Sequence, residues 1–276
     1  MNTEAIATRY VSANGIDIHY VEAGQGEPLV LLHQGMVSTN PLWADSPVAY
    51  AGHMAAFAER FRVIAPDLRG CGRTANPGGG SISYAQLVDD ALALIDALGL
   101  DRPLVCGFSD GATLATILAI RSPGSVRAIV NHAGYDLLNP QAPSLAMARQ
   151  VLGGSPDAAE ADPAAAERFF DSSDQMRPLL AGMRAEHGDG WATILTQTYE
   201  RITTSLGYIF EDLRSITAPT LILAGDRDGF CSVEEGAEAY RMLGKGELAI
   251  LPGQGHVISP AAVEVATDFL GRHALR

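Results

Sequence analysis

The sequence predicts an α/β fold, in which a mostly parallel eight-stranded sheet is flanked by helices and interrupted by an inserted helical cap. Short apolar runs alternate with amphipathic segments of helical length over most of the 276 residues, as in consecutive strand–helix units. The alternation stops between residues 135 and 213, where helix-like segments are joined by prolines, and then resumes. We therefore expect residues 1–134 and 214–276 to form one core domain, with residues 135–213 as the cap.

The first elements predict a β-hairpin followed by a buried strand. An Asn14-Gly15 turn separates a strand at residues 9–11 from an alternating strand at 16–21. Residues 29–32 are consecutively apolar, which is typical of a strand that is buried on both faces. A helix at 51–61, a strand at 62–65 and an amphipathic helix at 84–98 follow.

The remaining core elements repeat the strand–helix pattern on both sides of the cap. Before the cap come a strand at 103–108, a helix at 112–121 and a strand at 126–130. After the cap come a strand at 220–224, a helix at 233–243, a strand at 247–251 and a closing helix at 261–271. Such crossovers bring successive strands side by side in parallel, so the loops after the strands meet at one edge of the sheet.

Composition limits the partners of the protein. Nineteen Lys and Arg against 32 Asp and Glu give a formal net charge of −13, which repels nucleic acids and anionic membranes. The N-terminus lacks the basic and apolar regions of a signal peptide, and no apolar run reaches membrane-spanning length. We expect a cytoplasmic monomer or homodimer that acts on a small molecule.

Metals and cofactors are not expected. The three cysteines have no Cys-x-x-Cys spacing, and no His and carboxylate cluster has metal-ligand spacing. Residues 70–75 match Gly-x-Gly-x-x-Ala, a dinucleotide fingerprint, but the following Asn-Pro-Gly-Gly-Gly is poorly suited to opening the helix that would hold a pyrophosphate.

A Gly-x-Ser-x-Gly pentapeptide lies between a predicted strand and a predicted helix. Its central residue, Ser109, is flanked by Gly107 and Gly111, which permit the sharp strand–turn–helix that lifts a serine hydroxyl clear of the sheet. A serine hydroxyl needs a base, and the base needs an acid that orients it and stabilises its charged form. His256 follows the last predicted strand, and Asp226 and Asp228 follow the strand before it. These groups can converge at the same sheet edge.

The order of serine, aspartate and histidine resembles that of the α/β-hydrolase family, from about residue 16 to the end of the chain. The resemblance is carried by the pentapeptide at 107–111, the Gly-Asp-x-Asp turn at 225–228 and the Gly-His pair at 255–256. It implies a nucleophile at Ser109, a base at His256 and an acid at Asp228 rather than Asp226. Residues 67–73 also resemble a structural loop of that family.

An oxyanion hole is expected from backbone amides. One amide belongs to Asp110. The family resemblance places the other in the loop after the third strand, where the family has His-Gly-x and this chain has His33-Gln34-Gly35-Met36. Either Gly35 or Met36 is the donor. We expect His33 to bond within its own loop.

Serine at position 109 disfavours the dehalogenase and epoxide hydrolase chemistry that uses an aspartate nucleophile in this family. The resemblance implies hydrolysis of a small carboxylic ester or lactone through an acyl-enzyme. Carbon–carbon bond hydrolysis and a non-hydrolytic lyase, cyclase or decarboxylation reaction are the alternatives.

The Ser-Asp-Gly elbow is also similar to that of the valacyclovir hydrolase, or biphenyl-hydrolase-like, branch. The Asp110 carboxylate could therefore attract a substrate ammonium, or could bond a neighbouring loop; both interpretations are open. We expect the substrate to contact Gln34, Trp43, His132 and Trp191.

Overall fold

The computed structural model describes residues 6–135, 142–172, 174, 177–204 and 207–274. In these residues eight strands form one sheet, with the order β1-β2-β4-β3-β5-β6-β7-β8. The strands are β1 Ala7–Ala13, β2 Ile16–Ala23, β3 Pro28–Leu32, β4 Arg62–Pro66, β5 Leu104–Phe108, β6 Ala128–His132, β7 Thr220–Gly225 and β8 Gly246–Leu251. The pairs β1·β2 and β2·β4 are antiparallel and the other pairs are parallel. The predicted mostly parallel eight-stranded sheet is confirmed.

The central strands are buried apolar runs because helices cover both faces of the sheet. Every residue of β5, β6 and β7 is buried, and the register places Cys106 of β5 between Leu31 of β3 and Val130 of β6. The carboxyl ends of these strands meet at one edge, as the predicted order of strands and helices requires.

Nine α-helices are described in these residues: α1 Met54–Ala58, α2 Tyr84–Ala97, α3 Asp110–Arg121, α4 Pro143–Gly153, α5 Pro163–Asp171, α6 Arg177–His187, α7 Trp191–Thr203, α8 Val233–Met242 and α9 Pro260–His273. Side-chain caps explain several starts: Ser83, Ser232 and Ser259 each accept a hydrogen bond from the amide three residues later.

One predicted helix is divided and shortened in the structure. The segment predicted at 51–61 becomes a 3₁₀ turn, Tyr50–His53, followed by the five-residue α1. The carbonyl oxygens of Ala58 and Phe61 pack so closely on Gly24 that a Cβ there would lie 2.4 and 2.3 Å from them. The segment between α1 and β4 therefore packs tightly against the β2–β3 turn.

The four helices α4–α7 lie between β6 and β7, in the segment predicted as a cap. They share an apolar cluster with residues of the loop after β3, including Val37, Trp43, Leu152, Phe170 and Leu195. The beginning of the predicted cap at residues 136–141 lies outside the described residues, so the domain limits remain a prediction. No described helix is both long and apolar enough to cross a lipid bilayer.

Candidate active site

Ser109 lies at a sharp turn between β5 and α3. Its backbone angles are φ 53° and ψ −121°, a conformation that residues other than glycine rarely adopt. Glycines make the turn possible: a Cβ on Gly107 would lie 2.2 Å from the carbonyl oxygen of Gly111, and one on Gly111 would lie 2.1 Å from that of Leu32. The pentapeptide therefore has the geometry of a nucleophile elbow.

The structure brings Ser109, His256 and Asp228 into one hydrogen-bonded chain. The Ser109 Oγ lies 2.9 Å from His256 Nε2, and His256 Nδ1 lies 2.9 Å from Asp228 Oδ2. In this arrangement Nδ1–H donates to the carboxylate, which leaves Nε2 free to accept the serine proton. The distances are those of a nucleophile, a base and an orienting acid.

The turn after β7 distinguishes the two candidate aspartates. Asp228 Oδ1 accepts hydrogen bonds from the amides of Phe230 (2.8 Å) and Cys231 (3.0 Å). Burial alone would raise the pKa of Asp228, but the His256 hydrogen bond and these amides hold that pKa below its ordinary value. Asp226 instead accepts from the amide of Gly253 and does not orient the histidine.

The N-terminus of α3 directly follows Ser109. Ser109 precedes the helix, and its carbonyl oxygen accepts from the amides of Ala112 and Thr113 at 2.9 and 3.1 Å. The amide of Asp110 is the first of the helix, where amides have no intrahelical partner and the helix dipole favours negative charge. An amide at this position is a candidate oxyanion-hole donor.

The Asp110 carboxylate is bound within the protein. It accepts hydrogen bonds from the Tyr84 hydroxyl and from Arg201 of α7, whose Nε lies 3.2 Å from Oδ2. Both members of the Arg201–Asp110 ion pair are buried, with side chains 4% and 6% exposed. Of the two interpretations of Asp110, the structure supports a bond within the protein, although the partners lie on α2 and α7 and not on a neighbouring loop.

Arg201 was not anticipated from the sequence. Its one signal is its spacing: it falls seven residues after Ile194, on the buried face of α7 with Thr198. The same network reaches the loop after β3, because Thr198 Oγ1 donates to the carbonyl oxygen of Gly35 at 3.0 Å. A Cβ on Gly35 would lie 2.1 Å from Arg201 Nη2 and 2.3 Å from Asp110 Oδ2, so the ion pair requires glycine at this position.

With the site in view, comparison with known proteins identifies the family. Residues 28–174 match the family model described as the alpha/beta hydrolase fold. The chain belongs to the α/β-hydrolase family. It is an enzyme of the hydrolase class, as expected from the order of its site residues.

Individual relatives of this α/β hydrolase include a heptadienoate hydrolase, an epoxide hydrolase and a meta-cleavage product hydrolase. The chain is 28% identical to a 2-hydroxy-6-oxo-2,4-heptadienoate hydrolase of Pseudomonas putida strain F1, over 98% of each chain. A soluble epoxide hydrolase of a Corynebacterium species is 38% identical, over only 43% of this chain and 38% of its own. A meta-cleavage product hydrolase from Pseudomonas fluorescens has a TM-score of 0.77 at 19% identity, over 96% and 97% of the two chains.

A cavity of about 110 Å³ lies beside Ser109 of this α/β hydrolase. Ser109, Asp110 and His256 form one wall, with Gln34 and Met36 from the loop after β3 beside them. Most other lining residues are apolar or small, and several come from the cap: Val48, Ala133, Gly134, Ser144, Ala148, Val151, Leu152, Phe170, Leu179, Thr198, Ile202, Phe230 and Cys231.

Three residues expected to contact substrate lie outside this lining, which corrects the expectation. Trp43 is fully buried, and its indole N–H donates to Glu186 at 2.8 Å, so it packs the cap onto the core. Trp191 begins α7, where the guanidinium of Arg184 lies 5.1 Å from its ring centroid. The third, His132, ends β6 and packs edge-on against Phe108. Of the four, only Gln34 lines the cavity.

Two other histidines have structural surroundings. Burial lowers the pKa of His132 to about 3, so its ring is neutral near pH 7. His33 Nε2 accepts from the amide of Leu68 at 2.9 Å, which leaves Nδ1–H to donate to the carbonyl oxygen of Gln34 at 2.6 Å. His33 therefore holds the loop after β3, which lines the cavity together with Ser109.

The loop that matched a dinucleotide fingerprint has a structural role. The helix that follows it, α2, begins only at Tyr84, so no helix N-terminus faces residues 70–75. Within the loop, the Asp67 carboxylate accepts from the amides of Thr39 and Arg73, both at 2.8 Å, and pairs with His19.

In the described part of the chain, one group of side chains has donor atoms close enough to hold a metal ion. These donors, from Asp228, Cys231 and His256, lie within 4.8 Å of one another. Two of the three residues belong to the hydrogen-bonded chain of Ser109, so their donor atoms already have partners.

Proposed function

We propose that this α/β hydrolase cleaves a small, neutral carboxylic ester or lactone through an acyl-enzyme. The observation that carries the proposal is the hydrogen-bonded chain from Ser109 through His256 to Asp228 on the wall of an apolar cavity. The cavity volume, about 110 Å³, is smaller than the roughly 150 Å³ of an engineered cavity that holds benzene. It therefore suits a short acyl group.

Acylation begins when Ser109 Oγ attacks the carbonyl carbon. His256 Nε2 takes the hydroxyl proton as the new C–O bond forms, and Asp228 stabilises the resulting imidazolium. The carbonyl oxygen becomes an oxyanion, which the amide of Asp110 and an amide of the loop after β3 stabilise. Of the two candidates in that loop, Met36 lines the cavity whereas Gly35 does not, which favours Met36.

The remaining steps return the site to its starting state. His256 gives its proton to the leaving alkoxide as the ester C–O bond breaks, and the acyl group remains on Ser109; with a lactone, the alkoxide stays attached to the acyl chain. Water then attacks the acyl carbon while His256 takes a proton from the water. The bond between the acyl carbon and Ser109 Oγ breaks, His256 returns the proton to Oγ, and the acid is released.

The charges around the cavity favour a neutral substrate. Neither lysine nor arginine is among the described residues that line the cavity, and the guanidinium of Arg201 is paired with Asp110. A carboxylate in an apolar cavity without a cationic partner costs several kcal/mol, and the net charge of −13 adds a general repulsion of anions.

Carbon–carbon bond hydrolysis is the second candidate function. It is favoured by the match to the heptadienoate hydrolase over 98% of this chain. The same serine, histidine and aspartate could attack a ketone carbonyl and release a carbon leaving group. That relative's name describes an anionic substrate, for which this cavity offers no described unpaired cation.

The test compares kcat/KM for p-nitrophenyl acetate, butanoate, hexanoate and octanoate with that for 2-hydroxy-6-oxo-2,4-heptadienoate. We expect the short esters to be the better substrates, with kcat/KM falling for octanoate, and Ser109→Ala to lower kcat by at least about a thousandfold. A kcat/KM for the dienoate above that of every ester would assign the carbon–carbon reaction instead. If neither class is turned over, both candidates fail.

A further inference from the structure

Helix α4 presents one continuous face to the cavity. Four of its residues, Ser144, Ala148, Val151 and Leu152, line the cavity that Ser109 and His256 also line. Their spacing of four, seven and eight residues from Ser144 is that of a single helix face. Ser144 lies on this face in the first turn of the helix, and it supplies the only hydroxyl among the four.

The Ser144 hydroxyl is buried and has no hydrogen-bond partner among the described residues. The residue is 2% exposed, and its Oγ makes no hydrogen bond to any part of the chain that the structure describes. A buried hydroxyl without a partner costs free energy that alanine at the same position would avoid. Packing of the cap therefore gives no reason for serine here, whereas a ligand atom in the cavity would satisfy the hydroxyl.

Four other polar side chains of the cavity wall already have hydrogen-bond partners within the protein. Ser109 and His256 bond each other, Asp110 is paired with Arg201, and Thr198 donates to Gly35. Apart from Gln34 in the loop after β3, these groups leave Ser144 as a polar contact, on the cap side of the cavity.

We propose that Ser144 binds a neutral oxygen atom on the acyl chain of the substrate, such as an ether, hydroxyl or keto oxygen. This inference rests on the proposed ester or lactone hydrolysis and narrows its substrate class. The N-terminus of α4 adds a favourable dipole. Ala142, the residue just before this helix, makes no side-chain hydrogen bond to the helix amides. A carboxylate is disfavoured, because one hydroxyl does not replace the hydration of a full charge.

The test uses matched pairs of p-nitrophenyl esters in which one methylene of the acyl chain is replaced by oxygen: 3-methoxypropanoate against pentanoate, and 4-methoxybutanoate against hexanoate. Rates with hydroxide alone correct for differences in intrinsic reactivity. For the wild type we expect kcat/KM to favour the oxygen-bearing ester of one pair by about 2- to 10-fold, the value of one hydrogen bond. Ser144→Ala should abolish that preference.

The control is Ser155→Ala, an exposed serine beyond the end of α4, which should leave the preference intact. The proposal is overturned if the wild type shows no preference in either pair, if Ser144→Ala retains the preference, or if the p-nitrophenyl ester of succinate is preferred over both neutral esters.

A binding experiment separates this proposal from the proposed function. Thermal shift of the Ser109→Ala variant is measured with methyl 4-methoxybutanoate and with methyl hexanoate, and then repeated in Ser109→Ala/Ser144→Ala. A larger shift with the methoxy ester that disappears in the double variant supports the Ser144 contact even if no ester is turned over. Equal shifts in both variants overturn it even if esters are hydrolysed.

Discussion

The buried Arg201–Asp110 pair should be costly to break. Arg201→Met keeps much of the aliphatic packing and leaves the Asp110 carboxylate, 6% exposed, without its cation. Removing one partner of a buried pair costs about 3–5 kcal/mol. At about 2–4 °C per kcal/mol for a chain of this size, the melting temperature should fall by about 6–20 °C.

The partner variant tests the physical cause. Asp110→Asn combined with Arg201→Met removes both charges, and the Tyr84 hydroxyl can still donate to the new amide oxygen. The double variant should therefore be more stable than Arg201→Met alone. Arg177→Met is the control, because its ion pair with Asp174 is exposed and should contribute less than about 1 kcal/mol.

The assay is denaturant unfolding, with ester hydrolysis measured in parallel. The unpaired carboxylate of Arg201→Met lies beside the proposed oxyanion hole, so kcat should fall in the single variant and recover in the double variant. The reasoning is refuted if Arg201→Met costs no more than the Arg177 control, or if the double variant is the least stable of the set.

Three further predictions concern the surroundings of the site. Gly35→Ala places a Cβ 2.1 Å from Arg201 Nη2, so it should lower the free energy of unfolding in urea by about 1–3 kcal/mol. The control Gly78→Ala, whose Cβ would have no atom closer than 4.0 Å, should be near neutral. Burial would raise the pKa of Asp67, but the His19 hydrogen bond and the backbone amides of Arg73 and Thr39 lower it to about 2. The Asp67 carboxylate therefore contributes about 2 kcal/mol to the free energy of unfolding above pH 4, and this contribution is lost as the pH falls through 2. The destabilisation by Asp67→Asn should be smaller at pH 3 than at pH 7. An equal effect at both pH values would contradict this. Because His132 is neutral above about pH 4, His132→Gln should leave the shape of the kcat/KM profile unchanged between pH 5 and 8, and a displaced acid limb would show that it titrates.

The core was predictable because its signals are local. Four apolar residues in a row at 29–32 and the pentapeptide at 107–111 each report a strand or a turn within a few residues. The meeting of Ser109, Asp228 and His256 also followed, because parallel strands place their following loops at one edge. The helix at 51–61 was predicted too long; it ends where the chain packs against Gly24, a contact with a residue far away in sequence that local patterns do not report.

The pocket could not be predicted in the same way. Trp43 and Trp191 are large and amphipathic. Nothing in their local sequence distinguishes a tryptophan that packs inside the protein from one that faces a substrate. Arg201 of α7 is the cation that neutralises Asp110 across 91 positions of sequence. Its helical spacing indicates a buried position, but it does not identify a partner so far away in sequence.

Covalent labelling of Ser109 tests the central claim most directly. The protein is treated with a fluorophosphonate and the modified peptide is identified by mass spectrometry, with Ser109→Ala and His256→Ala in parallel. We expect one adduct, on Ser109, that is absent from Ser109→Ala and forms at least about a hundredfold more slowly in His256→Ala. An unlabelled wild type, or labelling at the same rate without His256, would contradict the account.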